Sequence, residues 1–292
     1  MTSAPSQAPA RDIVWRSLLY VPANSERFIA KAHTRAADAI ILDLEDSVPE
    51  SERARARDML PDSIATVSQS GGDATVRINR PLRHMVKDVE AAVKAGAKAL
   101  FVTKVDGPEH LKLVDELVVE PRLVDLQVGK VEREAGRPHG EVRLIPMLET
   151  ASAYFKAVEV ARGSARNVGM NLGGEDFALD VGMTPDTETL LMPKQTLVIA
   201  AKAANIMAMG FIGTVADYTD IESFRATVRR SRKFGFEAAS VIHPSGVAIL
   251  NEEFTPSTRE IDDAKRIIAA YDEAKKQGIG AIKVDGKMID VP

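Results

Sequence analysis

Short apolar runs recur along the chain at 17–21, 39–44, 74–78, 99–103, 142–148, 167–172, 207–212 and 238–242. Several are hydrophobic almost without a break, as in Ala39-Ile-Ile-Leu-Asp-Leu44. That pattern suits parallel strands buried on both faces better than half-exposed antiparallel ones. Segments of helical period lie between the runs; Val86, Val89, Ala92 and Val93, for example, share a face before Gly96. Strand–helix alternation repeated eight times predicts a closed (β/α)8 TIM barrel, with an open doubly wound sheet as the competing arrangement. After the eighth run, Ser257 and Glu260 make a capping-box pattern, and Ile261, Ala264, Ile268, Tyr271 and Ala274 follow on one helical face as far as Gly278. The chain thus reads as a tail (1–12), a barrel (13–255) and a C-terminal helix with a lid segment (256–292). Residues 119–139, rich in charge, Gly and Pro, read as an extension of the fourth helix and a loop.

Composition narrows the function without naming it. With 45% hydrophobic and 27% charged residues, the balance is that of a globular protein. A net charge of −4 leaves no basic excess for nucleic acid. The absence of cysteine removes disulfides, thiolate nucleophiles and thiolate metal sites, so any metal must be held by oxygen or nitrogen. Residues 1–12 lack the apolar centre of a signal peptide, and no apolar run reaches the length of about 18 residues that a membrane helix needs. The expectation is a cytoplasmic enzyme with a small-molecule substrate.

In a barrel, chemistry is carried at the C-terminal ends of the strands. Polar residues at those positions are Glu45 and Asp46, Arg77, Lys104, Glu149, Asp176 and His243. Glu149 and Asp176 follow consecutive strands, which in a parallel sheet lie about 4.8 Å apart, so both carboxylates reach toward one ion. Two carboxylates supplemented by water and substrate oxygens suit Mg2+; the competing reading makes both of them acids at helix starts. Arg77 interrupts an apolar strand and needs either an anionic ligand or a structural acid such as Glu45. Asp43 is expected to point away from solvent. A lone His243 is more simply a hydrogen-bonded structural group. Gly173-Gly174 allows a close backbone approach but is also ordinary turn chemistry. Arg27 and Lys31, one helical turn apart, suit phosphates or merely a solvated face. No phosphate-loop or dinucleotide fingerprint is present.

Taken together, Ser17-Leu-Leu-Tyr-Val-Pro22, Asp43-Leu-Glu-Asp-Ser-Val48, Val76-Arg-Ile-Asn79, Glu149-Thr150, Gly174-Glu-Asp176 and Ile242-His-Pro244 resemble the citrate lyase beta-subunit-like family of the HpcH/HpaI aldolase superfamily. The resemblance runs over residues 13–292. It implies a TIM barrel, assembled as a homotrimer or hexamer, that uses Mg2+, or Mn2+ in its place, to cleave or form a carbon–carbon bond in an acyl thioester. It assigns Glu149 and Asp176 to the metal, and catalytic roles to Arg77, Glu45 and Asp290. Arg77, Glu149, Asp46, Gly174 and Glu175 then contact substrate. Arg27 and Lys31 match basic positions that approach coenzyme A phosphates. Gly286-Lys-Met-Ile-Asp290 is similar to a lid motif whose aspartate serves a neighbouring subunit. Ala23, where many relatives have glycine, and Thr103, where proline is frequent, depart from the pattern. The implied reaction is a reversible retro-aldol or Claisen-type cleavage of a malyl, citramalyl or citryl thioester on coenzyme A or an acyl carrier protein. A metal-dependent aldolase of free 2-oxo acids, a malyl-coenzyme A thioesterase and a carrier-binding subunit of a citrate-lyase-like complex are the alternatives.

Overall fold

The computed structural model describes residues 13–118, 130–138, 140–214 and 220–290. Eight strands form its centre: β1 (Ser17–Pro22), β2 (Ala39–Asp43), β3 (Asp73–Ile78), β4 (Ala99–Val102), β5 (Arg143–Leu148), β6 (Gly169–Leu172), β7 (Met207–Met209) and β8 (Ala239–Val241). All pairings among them are parallel, in the order β7-β6-β5-β4-β3-β2-β1-β8. A parallel bridge between Met209 and Ala238 joins the two ends, so the sheet is a barrel rather than the open alternative. β7 stops short of the apolar run that announces it. Gly210 adopts φ 127° there, which turns the backbone out of the strand and leaves Phe211 and Ile212 in the following loop.

Strand periodicity separates two cores. Leu18, Ile41, Phe101, Ile145, Met147, Met207 and Met209 fill the barrel interior. Their neighbours Leu19, Ile40, Leu42, Val76, Ile78, Leu100 and Leu144 face outward and pack under the surrounding helices. The near-continuous hydrophobicity of the strands follows from burial on both sides. Polar residues on the inward positions therefore carry meaning. Thr75 satisfies its hydroxyl on the carbonyl of Ile40 (3.0 Å), deep in the sheet. At the C-terminal ends the inward series closes with Asp43 and Arg77, which are register partners on β2 and β3.

The chain divides into two compact units, Met1–Phe254 and Thr255–Pro292. In the second, the helix Thr258–Lys276 opens on a complete Ser257/Glu260 capping box, as the spacing predicts. A hairpin that the pattern does not announce follows, with β9 (Ala281–Val284) antiparallel to β10 (Lys287–Asp290). Arg266 ties the helix to the hairpin turn through Asp285 (2.5 Å). Of the 119–139 segment, residues 119–129 and 139 lie outside the described residues; Lys130–Glu134 is helical. Among the described residues no helix is long and apolar enough to cross a membrane.

One buried network fixes the loop after β2. Asp88, fully buried on the helix Leu82–Ala95, accepts from the backbone and side-chain N–H groups of Asn79 (both 2.8 Å) and pairs with Arg57 (2.6 Å). Asn79 in turn donates to the carbonyl of Leu44 (2.8 Å), just ahead of Glu45. Replacing Asp88 by alanine leaves the Arg57 charge and the Asn79 donors without their acceptor. Urea denaturation of D88A is expected to show a loss of about 3 kcal/mol; a change below about 0.5 kcal/mol would mean that the network carries no load.

Candidate active site

Arg77 is the hub of the barrel mouth. Its Nε and Nη2 donate to the two oxygens of Asp43, each at 2.7 Å, in a two-toothed ion pair between register partners. Nη1 reaches Asp46 (3.1 Å) and Glu45 (3.1 Å), and the guanidinium lies 4.9 Å from the centre of the Tyr20 ring. Although burial opposes it, this pairing, with help from Ser47 and the Glu45 amide, holds the Asp43 carboxyl below the usual carboxylate range. Asp43 is 1% exposed, as expected from its place in an apolar run. Glu45 is also buried, and burial raises it above the usual range despite Arg77 and the Lys104 ammonium 2.7 Å away. The structural pairing of Arg77 is thus real, and it involves Asp43 more closely than Glu45.

Glu149 ends β5 on its inward side and is 2% exposed. It does not cap the next helix; Thr150 does, accepting from the Ala153 amide (3.2 Å). Instead Glu149 accepts from the backbone N–H of Lys104, a residue held in the left-handed region at φ 48°. Pairing of Leu148 with Leu172 sets Gly173 beside Glu149. A Cβ on Gly173 would fall 2.7 Å from the Glu149 Cγ, so only glycine leaves the carboxylate its place. Asp176 lies in the first turn of the helix Gly174–Val181, where an acid is favoured, and it lines the same cavity as Glu149. Burial first, then the charges of Glu45 and Asp176, push Glu149 up to about 8.

A cavity of about 450 Å3 is lined by Asp43, Asp46, Arg77, Glu149, Gly174, Glu175 and Asp176 among others, whereas Glu45 and Lys104 are not part of its lining. Other expected residues lie elsewhere. Arg27 and Lys31 are exposed on the helix Glu26–Ala32, outside the cavity lining. His243 bonds to the Ser245 hydroxyl (2.7 Å) and does not line the cavity. Asp290 belongs to the second unit, exposed at the end of β10. Tyr20, Asn171 and Lys194 are among the cavity residues that a reading of strand ends does not pick out. Tyr20 was legible, since alternation from Leu18 turns it inward; burial pushes its phenol up to about 12, so it stays neutral. Lys194 was legible too, because it shares helical spacing with the buried Leu197, Val198 and Ala201.

The donor set suits a divalent cation. Among the described residues no group of three or more His, Asp or Glu side chains forms a ready-made cage. Two carboxylates, one of them raised by burial and then by its acidic neighbours, would leave the remaining positions to water and substrate, as Mg2+ prefers. Residues 16–244 match the family described as HpcH/HpaI aldolase/citrate lyase. The citrate lyase subunit beta of Leuconostoc mesenteroides subsp. cremoris is 31% identical over 95% of this chain and 89% of its own length. A (3S)-malyl-CoA thioesterase of Cereibacter sphaeroides is 33% identical, over 94% of this chain and 90% of its own length. The crystal structure of protein CitE from Mycobacterium tuberculosis in complex with magnesium, acetoacetate and coenzyme A is 26% identical. It superposes with a TM-score of 0.71, covering 97% of this chain and 95% of that one.

A carboxyl raised to about 8 must lose its proton before it ligates a cation. Calorimetric Mg2+ affinity is therefore expected to climb roughly tenfold per pH unit up to about pH 8 and then level off. An affinity unchanged from about pH 6 to pH 9 would show that Glu149 is not a ligand.

Proposed function

This chain belongs to the HpcH/HpaI aldolase/citrate lyase family, and from that membership and its cavity we propose that it is a lyase of 3-hydroxyacyl-coenzyme A thioesters. Malyl-, citramalyl- and citryl-coenzyme A are its candidate substrates, in keeping with the relatives' descriptions. The observation that carries the reading is that Glu149, just after β5, and Asp176, in the first turn of the helix that follows β6, line one cavity, with Gly173 leaving room for the Glu149 carboxylate. Relatives and neighbours described with citrate lyase, malyl-CoA and a magnesium–acetoacetate–coenzyme A complex support it.

Glu149 and Asp176 would hold Mg2+, or Mn2+ in its place, which when bound supplies Lewis-acid polarisation of a substrate oxygen. Arg77, locked by Asp43, offers its remaining N–H to the substrate's carboxylate or carbonyl oxygen. Glu45 and Asp46 keep Arg77 and Lys104 in position, and Glu45 is assigned to the proton handling of the substrate hydroxyl. The 3-hydroxyl loses its proton, the C2–C3 bond breaks, and its electron pair passes into the thioester enolate. Gly174 and Glu175 border the 2-oxo acid fragment, and Arg27 and Lys31 meet the coenzyme A phosphates. We assign protonation of the enolate to Asp290 of the partner subunit, with residues 256–292 as a lid on a cytoplasmic homotrimer or hexamer. Closure of such a lid excludes water and protects the enolate.

A panel of acyl-coenzyme A esters with Mg2+, read by mass spectrometry, tests the reaction. Malyl-coenzyme A is expected to give acetyl-coenzyme A and glyoxylate, citramalyl-coenzyme A acetyl-coenzyme A and pyruvate, and citryl-coenzyme A acetyl-coenzyme A and oxaloacetate. The thioesterase relative favours a second outcome, malate and free coenzyme A, which would establish hydrolysis instead. No turnover of any ester would contradict both.

The shared lid has its own test. D290A and E149A proteins, each expected to be inactive alone, are mixed under conditions of subunit exchange, and part of the activity is expected to return from sites assembled across two chains. Absence of recovery after verified exchange would remove Asp290 from the site.

A further inference from the structure

The cavity wall holds a buried cation that the reading above leaves unused. Lys194 stands in the first turn of the helix Leu191–Ala203 and is 5% exposed. Its ammonium donates to the carbonyl oxygens of Phe211 and Gly213, each at 2.6 Å, and lies 5.4 Å from the centre of the Phe211 ring. A lysine ammonium has three donors. Two are taken by these carbonyls; among the described residues the third has no acceptor and no carboxylate comes within ion-pair distance. Gly174 leaves that side open, because even a Cβ there would stand 3.6 Å from the Lys194 Nζ.

The other cations at the barrel mouth are already matched. Arg77 is held by Asp43, Glu45 and Asp46, and Lys104 by Glu45. A buried charge without a counter-charge is costly, and the cost shows: burial lowers Lys194 to about 7, with Glu175 opposing the shift too weakly to restore it. An anion entering the cavity beside Gly174 would supply the missing partner.

We propose that Lys194 binds a carboxylate oxygen of the 2-oxo acid fragment and so fixes that half of the substrate against the wall formed by Gly174. The assignment rests on the lyase reading for the nature of the anion, and on the geometry of Lys194 for its place. It makes Lys194 a substrate-binding residue and leaves the remaining N–H of Arg77 to the substrate's carbonyl oxygen.

Calorimetry with pyruvate and Mg2+ tests the assignment, with coenzyme A as an independent ligand on the same protein. Lys194→Met removes the charge at similar length. Lys194→Gln removes the charge but keeps two N–H donors for the carbonyls of Phe211 and Gly213, and so preserves the clamp if the methionine variant does not. Loss of a charged hydrogen bond is expected to weaken pyruvate binding by about 10- to 100-fold in both variants. Coenzyme A affinity is expected to stay within about twofold of wild type. Pyruvate binding at wild-type strength in either variant would overturn the proposal. Equal loss of pyruvate, Mg2+ and coenzyme A in both variants would overturn it too, by reducing Lys194 to a structural clamp. A wild-type protein that binds coenzyme A and Mg2+ but no 2-oxo acid would instead remove the lyase reading, and this assignment with it.

Discussion

The two-toothed bond between Asp43 and Arg77 is the interaction on which the barrel mouth depends. It joins residues at matching heights on neighbouring strands, so the register of the sheet sets its geometry before any side chain chooses a rotamer. From there a chain of contacts runs along the rim. Arg77 holds Glu45, Glu45 holds the Lys104 ammonium, and the Lys104 backbone N–H holds Glu149. Glu149 in turn faces Gly173, at the start of the segment that carries Asp176. Disturbing one link shifts the next, which is how a packed scaffold keeps functional groups in place.

The same chain explains the electrostatic character of the cavity. Asp43, Glu45, Asp46, Glu149 and Asp176 outnumber Arg77, Lys104 and Lys194. Asp43, which accepts two guanidinium N–H bonds, is held below the usual carboxylate range, whereas Glu149 is pushed up by burial and by Glu45 and Asp176, which the backbone N–H and the charge of Lys104 do not offset. A divalent cation at Glu149 and Asp176 would offset that imbalance. Beside Gly174 the imbalance has the opposite sign, since Lys194 is buried against carbonyl oxygens. A ligand with an anionic end and oxygens for a metal would answer both, and a 2-oxo acid has that shape.

Much of this arrangement was legible in the sequence because parallel barrel strands are apolar on both faces. Runs such as 39–44 stand out for that reason, and an acid such as Asp43 inside one must be buried and paired. The candidate metal carboxylates and Arg77 could be placed by strand order alone, and the Ser257 cap by local spacing. Other features depend on tertiary geometry. The choice of Asp43 over Glu45 as the close partner of Arg77 follows from register, which a list of strands does not contain. The early end of β7 comes from a single positive φ at Gly210. The hairpin after Gly280 is short and largely exposed, so it has no hydrophobic period to announce it. Lys194 hid inside a helix, where a strand-end rule does not look.

The most direct measurement is a crystal of the wild-type protein grown with Mn2+ and a 2-oxo acid, examined by anomalous scattering at the manganese edge. The account predicts one strong peak at the carboxylates of Glu149 and Asp176, with the organic acid in the same cavity. A peak bound elsewhere on the chain, or an empty map around those two carboxylates at saturating Mn2+, would contradict it.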